Sequence, residues 1–240
     1  MHDDVAFVVR FHACFATVAA ALLGPTLLPT PPYRTGLAVC GLVFGWHLAF
    51  AASAASRERR GLYEMWRFLA MLSVMMVVPD WFLADVLGTL VFPEHGAPRI
   101  GAVNMYMAGM WSIPLSWVLV CFTSTQREPS WSELLGASAL ALLILGASEQ
   151  LTVPLQLWLA TDRVAHTAGH VALYVLPAEA MLGAITLCAH RATATLTGWD
   201  GTARRVLAAG AVALQYTGAL AVSYLFVEGR DTGPSRLCYA

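Results

Sequence analysis

Seven apolar runs of about twenty residues each, parted by short polar breaks, constrain this chain more than any motif in it. In hydrocarbon every backbone N–H and C=O must be satisfied within the protein, and a run of that length does so as a helix. The runs are 5–24, 36–55, 63–84, 103–122, 134–154, 168–190 and 205–227. Proline, glycine and charge mark the breaks: PTLLPTPPYR, SRERR, FPEHGAPRIG, TSTQREPS and RATATLTGWDGTARR. Charged residues make up 12% of the chain, against ~25% in soluble domains. That is too little polar surface to cover a water-soluble core. The expectation is an all-α polytopic membrane protein, with residues 1–240 forming one domain of seven transmembrane helices. The stretch LQLWLATDRVAHT, 155–167, is amphipathic and predicted to lie at the membrane interface. Asp3 and Asp4 stand where a signal peptide carries positive charge, so the first run reads as a retained helix.

Arginine sets the orientation, because all 14 basic residues are arginine and lysine is absent. With the N-terminus inside, the cytoplasmic loops hold Arg57, Arg59, Arg60, Arg127, Arg191, Arg204 and Arg205. The opposite side holds Arg34, Arg99, Arg163, Arg230 and Arg236. The count favours N-in/C-out. Without lysine there is no Schiff base, which excludes a retinal-binding rhodopsin. A net charge of −1 offers no basic stripe for nucleic acid. Cys14, Cys40, Cys121, Cys188 and Cys238 are scattered, without metal or disulfide spacing. No internal repeat is legible.

Ionisable residues in the apolar runs are costly, and they mark where chemistry is to be sought. Glu64 and Arg67 are three apart and predict an intrahelical ion pair. Asp80 and Asp85, in VPDWFLADVLG, fall near the outer end of the third helix. Glu149, in LGASEQLTVP, sits in the outer third of the fifth. Glu179, in YVLPAEAMLG, is the deepest acid, two residues after Pro177, which is expected to bend the helix. Gly183, one turn on, allows a neighbouring helix to approach. Trp81, Tyr106, Trp111, Tyr174 and Tyr216 surround these acids, and Pro79, Pro114 and Pro177 interrupt three helices. The pattern predicts a lipid-accessible pocket in the outer half, lined by ring faces and carboxyls.

Carboxylic acids and aromatic rings in an apolar wall suit carbocation chemistry. An acid protonates an alkene or epoxide, ring faces stabilise the cation, and a second carboxylate takes the proton back. The candidate acids are Asp80 and Glu179, with Asp85 and Glu149 as proton acceptors or orienters. Trp81, Trp111, Tyr106, Tyr174 and Tyr216 would bind the substrate, an apolar isoprenoid drawn from the membrane lipid. No cofactor is implied, and there is neither an Asp-rich diphosphate motif nor a lysine to clasp phosphate.

The stretch MWRFLAMLSVMMVVPDWFLADVLGTLVFPEHGAPRIGAVNMYMAGMWSIPLSW resembles the membrane carotenoid hydratases and related cyclases, and YVLPAEAMLGA resembles that group's second proline-bearing helix. In size, helix count and buried acids the chain is also similar to the small seven-helix terpene cyclases of meroterpenoid and indole-terpenoid pathways. Those enzymes carry Trp-Glu on helix two, where this chain has Trp46-His47. The resemblance implies acid and base roles for Asp80, Asp85 and Glu179, in a cyclase or a hydratase. Two other readings stay open. His166 and His170 have zinc-ligand spacing if their segment is helical, as in an intramembrane hydrolase. Glu149, Glu179 and His47 would suit a proton-coupled transporter.

Overall fold

The computed structural model describes residues 2–24, 33–57, 59–122 and 128–229. Arg127, Arg230 and Arg236 of the orientation count, and Cys238, lie outside them. The chain is mostly helical. The helices are α1 His2–Leu23, α2 Tyr33–Ser56, α3 Arg60–Met75, α4 Val77–Trp81, α5 Met107–Met110, α6 Ser112–Cys121, α7 Trp131–Thr152, α8 Val175–Ala194 and α9 Gly198–Val227. A wide helical turn, Phe82–Leu87, prolongs α4.

Among the described residues, five helical stretches are long and apolar enough to cross a membrane: Asp3–Leu23, Thr35–Ser56, Arg60–Leu87, Trp131–Gln150 and Gly198–Val227. Met107–Cys121 is apolar but shorter. The helix α8 is not among the five, for a physical reason. It buries Glu179, Thr186, Arg191 and Thr193 against its neighbours, so its polar side chains face protein.

Two of the three prolines break their helices in the same way. Proline has no N–H for the carbonyl four residues back. Pro79 thereby frees Met75, where α3 ends, and Pro114 frees Met110, where α5 ends. Pro177 does not bend α8. It sits in the first turn, where no intrahelical N–H is needed.

Arginines tie one end of the bundle. Arg59 pairs with Asp4, and Arg191 with Glu133 at the start of α7 and with the carbonyl of Phe122. Glu64 accepts from Arg67 at 3.3 Å, as the spacing predicts, and also pairs with buried Arg205 of α9 at 2.8 Å.

Short strands build the other end: β1 Leu90–Val91, β2 Arg99–Ile100, β3 Val103–Asn104, β4 Leu159–Ala160, β5 Thr167–Ala168 and β6 Val171–Ala172. The segment predicted to lie flat at the interface therefore carries β4, and the start of the sixth predicted span is the β5–β6 hairpin. Pairing is antiparallel between β1 and β4, β2 and β3, and β5 and β6.

This end reveals a repeat that the sequence hides. In β1–β4, Leu90 pairs with Ala160 and Val91 with Leu159, a register that a two-fold rotation maps onto itself. Around it stand two copies of one plan, helix, strand, hairpin, helix. Each hairpin reads Gly-x-Val-x-x-Tyr: Gly101, Val103 and Tyr106 in the first half, Gly169, Val171 and Tyr174 in the second. Both glycines have positive φ, +61° and +64°, where a side chain is strained. Each tyrosine crosses to the other half. Tyr106 donates to the carbonyl of Leu157 at 2.6 Å, and Tyr174 to Thr89 Oγ1 at 2.8 Å.

Candidate active site

Beneath the strands lies a cavity of about 600 Å³, within the ~300–1,000 Å³ range of ligand sites. Thr89, Leu90, Ala160 and Ala172 of the strand end lie over it, and helices α1, α2 and α4–α9 wall it. The lining is overwhelmingly apolar and aromatic. Its carboxyls are Asp80, Glu149 and Glu179, brought together from α4, α7 and α8.

The repeat explains how three acids scattered over a hundred residues converge. Asp80 and Glu149 occupy equivalent positions, each ten residues before the first residue of its strand, Leu90 or Leu159. Trp111 and Glu179 are likewise equivalent, each ten residues after its hairpin glycine. In the first half the pair is acid and indole: Trp111 Nε1 donates to Asp80 Oδ2 at 3.0 Å. In the second half it is acid and acid, with Glu149 in electrostatic reach of Glu179. Glu149 accepts instead from Trp158 Nε1 at 3.0 Å.

Glu179 is 2% exposed, and its Oε2 has no hydrogen-bond partner. No arginine lines the cavity among the described residues. An unpaired buried carboxyl oxygen is uncommon, and such exceptions concentrate where function requires them. Gly183, one turn on, is where α8 meets α7. A Cβ there would collide with the Ala137 carbonyl and lie 2.6 Å from the Ala141 Cβ. The close helix approach expected of Gly183 is thus present, and it brings α8 against the helix that carries Glu149.

The predicted substrate-binding residues divide. Trp111, Tyr174 and Tyr216 line the cavity, with Trp111 and Tyr216 edge-on at 5.7 Å between ring centroids. Tyr106 does not line it. It is fully buried in the strand end, receiving a hydrogen bond from Asn104 and giving its own to Leu157. Asp85 and Trp81 also fall outside. Asp85 is exposed on the wide turn, and Trp81 is 43% exposed on the outer face. Asp85 lies five residues past Asp80, a spacing that turns a helix of 3.6 residues per turn by about 140°, and it faces outward.

Trp158, Trp117 and Thr89 are cavity residues the sequence reading missed. The indole of Trp158, nine residues after Glu149 and across a proline, was the available signal for the first of them. His47 lies outside the cavity. Its Nε2 donates to the Gly109 carbonyl at 2.9 Å and its Nδ1 accepts from Trp66 at 3.1 Å. His166 and His170 do not share a helix face, because their segment is the β5–β6 hairpin. His166 is held by Glu228 at 3.2 Å instead, while His170 reaches the cavity. Among the described residues no three His, Cys, Asp or Glu side chains are grouped to hold a metal ion.

No curated protein and no solved structure matches the chain. Residues 77–227 match a family described as a domain of unknown function, DUF6989. The matched stretch begins just before Asp80, takes in both halves of the repeat and ends with α9, so all three cavity carboxyls lie within it. The chain belongs to the DUF6989 family.

Proposed function

We propose that this protein is a seven-helix, multi-pass membrane enzyme, N-in and C-out, that starts carbocation cyclisation of an isoprenoid by protonating an alkene or epoxide. The observation that carries the reading is the convergence of Asp80, Glu149 and Glu179 in one apolar, ring-lined cavity. Two neighbouring carboxylates with no cation between them are costly in an apolar wall, and a proton is the simplest counter-charge. Glu179, with its unpartnered oxygen, holds that proton and is the acid. Asp80 and Glu149, each fixed by an indole N–H, are the acceptors.

The Glu179 proton adds to a substrate carbon or epoxide oxygen, leaving a cation on carbon. An internal alkene closes on that cation and forms the ring bond. The rings of Trp111 and Tyr216 stabilise the positive charge as it moves. Glu149 or Asp80 then removes a proton from the carbon next to the final cation, giving a new double bond. That proton returns to Glu179, so the product has the mass of the substrate.

The test is mass spectrometry of lipid extracts from membranes containing the protein, supplied with farnesylated, geranylgeranylated and carotenoid precursors. Unchanged mass with a new retention time supports cyclisation, whereas an added water identifies hydration. If the folded protein converts none of them, the reading fails.

A further inference from the structure

We infer that a groove between α1 and α7, floored by α6, is the passage by which a single isoprenoid chain enters the cavity sideways from the bilayer. The inference rests on the isoprenoid reading above and specifies how that site is loaded.

The pattern of exposure along α6 points to it. Ser112, Leu115, Ser116, Val118, Leu119 and Val120 are buried, whereas Ile113, Pro114 and Trp117 form one half-exposed stripe that lines the cavity. Because α6 packs against both α1 and α7, that stripe looks out between them. The two flanking helices present matching rims. On α1, Phe15, Ala19 and Leu23 recur every four residues, half-exposed, and line the cavity. On α7, Leu143 and Ala147 also line it, and Leu143 is 69% exposed. A side chain that both lines a cavity and faces outward stands at its mouth. Leu143 and Ala147 lie in a span long and apolar enough to cross a membrane, so the mouth opens on lipid.

The occupant follows from the lining. The rim and floor side chains named above are apolar or aromatic, and the cavity's carboxyls belong to other residues, Asp80, Glu149 and Glu179. An apolar chain can slide in, whereas a headgroup would have to leave water with no partner on the way. The volume suits one chain of drug-like size rather than a protein segment. Trp111, two residues before Ile113, lines the cavity and donates to Asp80 Oδ2, so the floor of the groove leads to an acid.

The experiment is photolabelling in lipid nanodiscs with geranylgeraniol carrying a diazirine, and mapping of adducts by peptide mass spectrometry. In the unaltered protein, adducts are expected on interior positions around Met110 and Trp111 and on the lipid-facing side of α9. Ala147→Phe, a change at an exposed position, and the double variant Ala19→Phe/Ala147→Phe narrow the mouth. Interior labelling falls about tenfold in the double variant while α9 labelling is kept. Leu207→Phe, on the outer face of α9, leaves both unchanged. Equal interior labelling in the narrowed variants, or adducts confined to lipid-facing residues in the unaltered protein, overturns the passage. The label reads occupancy rather than turnover. Conversion that requires Glu179 alongside undiminished interior labelling in the narrowed variants would discard the groove and leave the chemistry standing. Mouth-dependent labelling without conversion would do the reverse.

Discussion

The two hairpin-linked halves share a backbone plan and differ at the position that faces the acid. In the first half, Asp80 is met by Trp111, whose N–H fills one of its lone pairs at 3.0 Å. In the second, Glu149 is met by Glu179, a second acid that has no proton to give unless it is itself neutral. One half therefore builds a settled acceptor and the other an acid pair with one oxygen unpartnered. A duplicated scaffold thus places two like groups symmetrically, and a single exchange of indole for carboxyl makes the roles unequal. Catalytic acid and base pairs need this kind of inequality between two carboxyls.

Glu179→Gln keeps the shape of the side chain and removes the transferable proton. Turnover is expected to fall by about 10²–10⁴-fold, with the circular dichroism spectrum and thermal midpoint in detergent close to those of the unaltered protein. Asp80→Asn, at the equivalent of Glu149, is expected to lose less, because Glu149 remains as an acceptor. Equal losses in the two variants would mean the halves are not divided into donor and acceptor. Next in size is Trp111→Phe, which keeps a ring for the cation and strips Asp80 of its donor. Leaving a buried acceptor unsatisfied costs about 1–3 kcal/mol, read as a lower denaturation midpoint, with a partial loss of turnover.

Much of the architecture was legible because it depends on solvent. Apolar runs bounded by proline, glycine and arginine predict helices, and the Glu64–Arg67 pair follows from helical spacing alone. Asp80, Glu149 and Glu179 stood out because an acid in an apolar run requires an explanation. The strand end was hidden for an opposite reason. Its strands are two residues long, too short for any alternation to show, and β3 and β6 lie inside apolar runs that read as helix. The repeat was hidden with it, since Gly-x-Val-x-x-Tyr is three fixed residues in six and the equivalent acids differ in type. Asp85 is close to Asp80 in sequence only, since five residues turn a helix of ordinary pitch by about 140° and Asp85 is exposed. From sequence alone Pro177 implies a kink, whereas the hairpin before it shortens α8 and puts the proline in the first turn.

The crossing tyrosines test whether the two halves support each other equally. Tyr106→Phe removes a 2.6 Å hydrogen bond to the Leu157 carbonyl and also deprives Asn104 of an acceptor, all in a buried setting. Tyr174→Phe removes one bond to Thr89, whose hydroxyl keeps the Leu83 carbonyl as its own acceptor at 3.4 Å. The first change is therefore expected to cost about 1–3 kcal/mol and the second about 1 kcal/mol, each read as a shift in denaturation midpoint. Because Tyr174 lines the cavity and Tyr106 does not, the order reverses for ligand. Tyr174→Phe should alter binding of an isoprenoid probe, and Tyr106→Phe should leave it alone once the protein is folded. Smallest of all is Asp85→Asn, an exposed change expected to stay within about 0.5 kcal/mol and to leave turnover intact. A loss of turnover there, with stability unchanged, would place a reacting group outside the cavity and remove the reason for assigning the chemistry to the paired halves.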